Sequence, residues 1–283
     1  MPSQAKAAEK TSETVLGKGE LWASASSLSY AAAAIFSRVA SLSVHPFVAP
    51  ALRLVPVAAL AWFQTIRTRV DIDRLKPSAK DFFGWKLILV MLLGGTLTTV
   101  IGTVGYFYAL RIGGVVLTQP VLATNILWSA LMASVFLGEP LNRKMMFGLL
   151  IAVSGVALLG YGRAILGGGD SGALAAIPLA LIPAVSWAGG SNTTRYALTK
   201  GVDKFTILAV GHTWAISVLL IFVLVSGQSE LLSGLDLGGA GTLLLAGLLT
   251  GTAQITLAQA LSLTTVASAS TINGMNPVLS AIL

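Results

Sequence analysis

Across 283 residues there is no cysteine, and charged side chains make up only 10% of the chain, with 11 acids against 18 lysines and arginines. Without cysteine there is no disulfide framework, no thiol nucleophile and no thiolate metal site, and the redox compartment is unreadable. Two histidines, His45 and His212, are all that the chain offers. An intramembrane enzyme would need a nucleophile with its base, or a metal cluster, at one depth, and these residues assemble neither. No acid lies inside a long apolar run: Glu20 and Glu139 sit at run ends and the others in tails or loops. That excludes the membrane-embedded carboxylate on which proton-driven exporters of cationic drugs generally depend. The glycines Gly167, Gly168 and Gly169 are followed by no phosphate-binding lysine and read as a hinge. With no nucleotide site, no cofactor and no metal expected, transport would draw on an ion gradient or on the substrate's own gradient.

What the chain does have is apolar length. It is 55% hydrophobic with 30 glycines, and its mean hydropathy of +0.83 describes a protein whose solvent is mostly lipid. A helix needs about 20 apolar residues to cross the hydrocarbon. On that scale spans fall near Leu21–Ala40, Phe47–Ile66, Trp85–Leu110, Gly114–Leu137, Phe147–Ala164, Ala173–Asn192, Phe205–Ser226, Leu237–Leu261 and Thr265–Leu283. Residues 1–19 are polar and of mixed charge and read as a disordered cytoplasmic tail with no signal-peptide cleavage site. Arg67, Arg69, Arg74, Lys76, Lys80 and Lys86 follow the second span, Arg143 and Lys144 the fourth, Lys200 and Lys204 the sixth. All share a side with the lysines of the tail, so the positive-inside rule predicts a cytoplasmic N-terminus. The net charge of +7 is thereby explained by orientation in a bilayer, and nucleic acid is not expected as a partner. Asn192-Thr193-Thr194 fits the glycosylation pattern but falls at a cytoplasmic span end, where acceptors are not used.

The chain is written twice. Ser29-Tyr30-Ala31 with Arg38 and Ala40 recurs as Ser186-Trp187-Ala188 with Arg195 and Ala197, and Thr99 to Leu131 lies on Thr250 to Ile282 without a gap. If five spans make one half, the second copy enters from the other side. The loops agree, because the basic connection after the second span corresponds to one carrying only Glu230 and Asp236 after the seventh. The expectation is therefore an all-α integral membrane protein, an inverted repeat of five-helix units: residues 20–165, a connection over 166–172, and 173–283. About nine spans of such a ten-helix fold are present. The last helix is expected to be missing, since residues end at Leu283 inside an apolar run.

These residues resemble the EamA-type branch of the drug/metabolite transporter superfamily. The likeness is carried by Arg53 in the second span, Tyr106-Phe107-Tyr108-Ala109-Leu110 closing the third, Phe136-Leu137-Gly138-Glu139-Pro140-Leu141 closing the fourth, and Gly148 with Gly155 in the fifth. The second half keeps Ala260-Leu261 and Asn276-Pro277. The family usually has a proline where Ile126 stands, and this chain has Pro120 earlier instead. The resemblance implies ten helices in two inverted repeats, metabolite transport and net outward flux.

Polar side chains inside a bilayer should face the bundle interior or a wet cavity. Asn125 and Ser129 lie four apart on one helical face and match Asn276 and Ser280; Thr99 and Thr103 match Thr250 and Gln254; Tyr30 matches Trp187. Two readings stand: a substrate site around the repeat axis, or hydrogen bonds that tie helices together. The asparagines favour the first, being near helix breakers Pro120, Gly274 and Pro277, where freed backbone groups can take part. Arg53 lies well inside the second span, with His212 at a comparable place in the seventh. Its natural partner is an anionic group on a substrate or a set of backbone carbonyls, unless it snorkels to the headgroups. His212 is the candidate for ion coupling. Tyr106, Tyr108, Trp128 and Trp187 could stack on a substrate. Arg38 and Arg195, at span ends, read as interfacial anchors or gate residues. An amphipathic, zwitterionic or anionic metabolite such as an amino acid suits this set. The alternative is a scaffold-like or inactive membrane protein.

Overall fold

The computed structural model describes residues 2–45, 47–140, 171–227 and 237–273, with isolated positions at 143, 147, 148, 151, 154, 155, 158, 275 and 279. Among them there is no strand. The helices are α1 (Pro2–Ser43), α2 (Val48–Thr68), α3 (Trp85–Gly95), α4 (Val104–Ala123), α5 (Asn125–Met132), α6 (Ser171–Thr199), α7 (Lys204–Val225), α8 (Leu237–Leu263) and α9 (Val266–Asn273). Two π-helical stretches, Thr96–Thr103 and Ala133–Leu137, join α3 to α4 and extend α5. Five helical segments among the described residues are long and apolar enough to cross a membrane: Val48–Thr68, Trp85–Gly114, Thr118–Leu137, Lys204–Val225 and Leu237–Leu263. Of the other expected spans, the first and sixth lie within α1 and α6 and the ninth begins as α9, while the fifth falls largely outside the described residues.

Local chemistry sets the element ends. Asp203 caps α7 by accepting from the Phe205 N–H at 2.8 Å. Arg69 closes α2 in the left-handed region at φ 51°, its N–H returning to Thr65 O. At Gly114, with φ 61°, the helix breaks and the chain doubles back. The proof is a contact: Gln119 Nε2 donates to Tyr106 Oη at 3.2 Å, although residues 13 apart in a straight helix would stand about 20 Å apart. At its beginning the chain departs from the sequence expectation. The backbone of residues 2–19, expected to be a disordered tail, continues α1 as helix. Its alanines, lysines and glutamates are strong helix formers, so polarity without breakers does not end a helix.

Helix α1 runs along α8, and α6 runs along α3, the π stretch and α4. Helix α2 packs on α7 and α8; correspondingly α7 packs on α2, α3 and the π stretch. Helix α9 lies on α1 and α5, as α5 lies on α6 and α9. Each contact therefore recurs with the two halves of the chain exchanged. Close crossings depend on glycine. A Cβ on Gly95 would stand 2.1 Å from Gly211 O, and one on Gly247 would stand 2.2 Å from Arg53 O. Bare backbones thus meet where α3 crosses α7 and where α2 crosses α8, bringing Arg53 and His212 into the centre.

Candidate substrate site

A cavity of about 160 Å³ lies between the helices. Tyr30 of α1, Arg53 of α2, Thr103 of the π stretch and Tyr106 of α4 line it. So do Asn125 of α5, Trp187 of α6, His212 of α7 and Gln254 of α8. The wall contains no Asp or Glu among the described residues. Ser129 lies outside it: the side chain is fully buried one turn beyond Asn125, under Asn192, whose Nδ2 donates to Ser129 O at 3.1 Å. Asn276 and Ser280 lie outside the described residues.

The π stretch shapes one wall. Thr98 O, released from the regular α-helical ladder, accepts from Thr103 Oγ1 and from Trp187 Nε1, each at 2.9 Å. Widened turns of this kind recur at functional sites because they free backbone groups. Gly102 makes room, since a Cβ there would stand 2.5 Å from Cδ1 of Trp187. Thr103 lines the cavity, whereas Thr99 is buried elsewhere, as is its counterpart Thr250, whose hydroxyl returns to Ala246 O at 2.7 Å.

Arg53 is 6% exposed. One arm, Nη1, donates to Ser37 Oγ at 3.0 Å, and the guanidinium stands 5.9 Å from the Phe107 ring centre. Its Nε is buried without a partner among the described residues. The side chain thus turns into the bundle and not toward the headgroups. His212 is also buried; its Nε2 is hydrogen-bonded to Gln254 Oε1, and its Nδ1 has no partner among the described residues. The Tyr106 ring stands 5.3 Å from Trp187, tilted by 56°, and forms an aromatic wall with it.

Several lining groups escaped sequence reasoning. Gln119 orients Tyr106, and its position beside Pro120 was the available signal. Asn273 also lines the cavity; its Oδ1 accepts from Ser26 Oγ at 3.3 Å. Thr98 contributes through its carbonyl, for which no side-chain pattern exists.

Arg195, itself in the second half, is held by partners from both halves. Its Nη1 donates to Leu261 O and its Nε stands 3.5 Å from Glu139 Oε1. Glu139 Oε2 in turn accepts from the first N–H of α9, Val266, at 3.1 Å. The Gly138-Glu139-Pro140 turn therefore joins α5, α6 and α9.

A helical bundle around a polar cavity, walled by most of the described helices, defines a multi-pass membrane protein with a central cavity. The chain belongs to the EamA-like transporter family, whose model matches residues 17–161 and again 174–283. It is accordingly a membrane transporter of the drug/metabolite transporter superfamily. No curated protein matches it significantly. A solved crystal structure of a protein superposes with a TM-score of 0.69 at 19% identity, covering 94% of this chain and 86% of that one. At that identity the likeness establishes a shared fold.

Proposed function

We propose that the protein carries small metabolites, amino acids or related zwitterionic or anionic compounds, by alternating access between two five-helix halves of opposite orientation. The observation that carries this reading is the central cavity: Arg53, His212, Asn125, Gln254 and the aromatic wall converge on it with no carboxylate among the described lining residues. A cationic substrate would meet a buried arginine there and no compensating acid. Tyr30, Thr103, Tyr106 and Trp187 complete the proposed site, with Asn276 as the second-half counterpart of Asn125.

The inverted repeat is supported by the reciprocal packing of the halves. A cytoplasmic N-terminus is supported by the basic loops. Outward flux is proposed on the family resemblance. Counterflow tests the function: liposomes holding the protein are loaded with unlabelled amino acids and small carboxylates, and labelled tracers are offered outside one at a time. Saturable accumulation of a chemically unchanged tracer is expected. The absence of accumulation for every tracer would overturn the reading.

A further inference from the structure

We infer that the cavity binds a carboxylate together with one proton, Arg53 supplying the fixed charge and His212 the proton. The inference rests on the carrier reading above and names the charge chemistry of its site.

Two buried nitrogens without partners among the described residues, Arg53 Nε and His212 Nδ1, belong to side chains that wall one cavity. An N–H buried without an acceptor costs free energy unless a ligand supplies one. Arg53 cannot lose its proton, so Nε remains a donor and calls for an anionic oxygen. His212 differs. With Nε2 hydrogen-bonded to Gln254 Oε1, the neutral ring donates from Nε2 and carries a bare lone pair at Nδ1. Protonation turns Nδ1 into a second donor.

Before ligand arrives, a protonated His212 would share the cavity with the Arg53 cation. Among the elements packed on α7, α2 contributes Arg53 and α8 contributes Gln254, which does not titrate. Helices α3 and α6 and the π stretch contribute no titratable side chain to the cavity wall. Tyr30 and Tyr106, which also line the cavity, carry phenols that are neutral at ordinary pH. A carboxylate entering this site introduces a negative charge that none of the described lining residues supplies. It accepts from Arg53 and favours the protonated imidazole, so binding draws a proton from solution. The loaded carrier then moves a net charge one unit more positive than the substrate's own.

Proton uptake on binding is the test. Purified wild-type protein in detergent, weakly buffered at pH 7.5 with a pH-sensitive dye, is titrated with acetate, lactate, alanine, leucine and phenylalanine, and with leucinamide and phenylalaninamide. At least one carboxylate should bind with uptake approaching one proton per protein, and its amide should bind at least tenfold more weakly. His212→Gln should retain binding with the proton signal lost. Arg53→Gln should weaken binding at least tenfold, and Arg53→Lys should recover part of it. Binding without proton uptake, uptake unchanged in His212→Gln, an amide that binds as well as its acid, or no response to any of the five carboxylates would each overturn the inference. The wild-type comparison of acid with amide stands even if a variant fails to fold. Binding with proton uptake but no counterflow would instead refute the carrier reading and leave the carboxylate site intact.

Discussion

The two ends of the bundle are held together differently. At the end away from the basic loops, Ala40, Val44, Val48, Phe107, Leu110, Val223 and Leu243 form an apolar seal, with Phe47 4.7 Å from the Phe222 ring and 5.9 Å from Tyr108. At the basic end, polar bonds span the halves. Asp71, fully buried, accepts from Arg74 Nη1 at 3.1 Å and from the Asp203 N–H at 2.7 Å, and Arg74 also reaches Gly201 O at 3.3 Å. The Glu139–Arg195 pair stands at the same end of α6. Opening the apolar seal to water exposes hydrocarbon with no compensation. Opening the polar clasps exchanges protein hydrogen bonds for water, a net cost of about 1 kcal/mol each.

Breaking the apolar seal should have the larger effect on stability. Phe107 is fully buried, so Phe107→Ala should cost about 3–5 kcal/mol and lower the unfolding midpoint in detergent. A midpoint within experimental error of wild type would show that the seal is not tightly packed. Asp71→Ala should cost less, about 1–3 kcal/mol, because Arg74 and the Asp203 N–H lose their acceptor. Its larger consequence is access. The chain has no cysteine, so a single Ser191→Cys, on the cavity wall, reports water entry directly. Its labelling by a membrane-impermeant maleimide applied from the basic side should accelerate in Asp71→Ala and stay unchanged in Phe107→Ala. Equal acceleration in both would erase the distinction between the ends.

Glu139→Gln sharpens the comparison within the basic end. The amide keeps an oxygen for the Val266 N–H and loses the charge facing Arg195. The pair is partly exposed, so a loss of about 0.5–1 kcal/mol is expected after solvent screening, accompanied by slight acceleration of the Ser191→Cys label. Acceleration as great as in Asp71→Ala would transfer the main closure from Asp71 to Glu139.

Residues that line the cavity were legible where side-chain chemistry and the repeat coincided. Tyr30 and Trp187 occupy matched positions and meet the same space, and Thr103 matches Gln254 in the same way. Arg53 and His212 stood out because ionisable groups inside apolar runs demand partners. What periodicity missed was backbone. The π register of Thr96–Thr103 leaves no composition signal, yet it offers the Thr98 carbonyl to Trp187. Ser129 sits off the cavity wall because Asn192 from α6 covers the turn that follows Asn125. Equally hidden was the role of Asp71, a loop acid that also accepts from the Asp203 N–H, 132 residues away in sequence.

The smallest effect is expected where charge is fully exposed, and it calibrates the others. Lys76 Nζ donates to Asp73 Oδ1 at 2.7 Å beside the Asp71 clasp, but both side chains face solvent. That hydrogen bond, and then the charge of Lys76, hold the Asp73 carboxyl below its ordinary range. A depressed carboxylate adds stability above its unfolded pKa and loses it as pH falls through the folded one. At full exposure the contribution is screened. Lys76→Ala should therefore return the Asp73 titration, followed by NMR, toward that of a free aspartate, without moving the unfolding midpoint or the Ser191→Cys labelling rate. If labelling accelerated as in Asp71→Ala, general loss of loop charge would explain access, and the buried geometry of Asp71 would not be what closes the basic end.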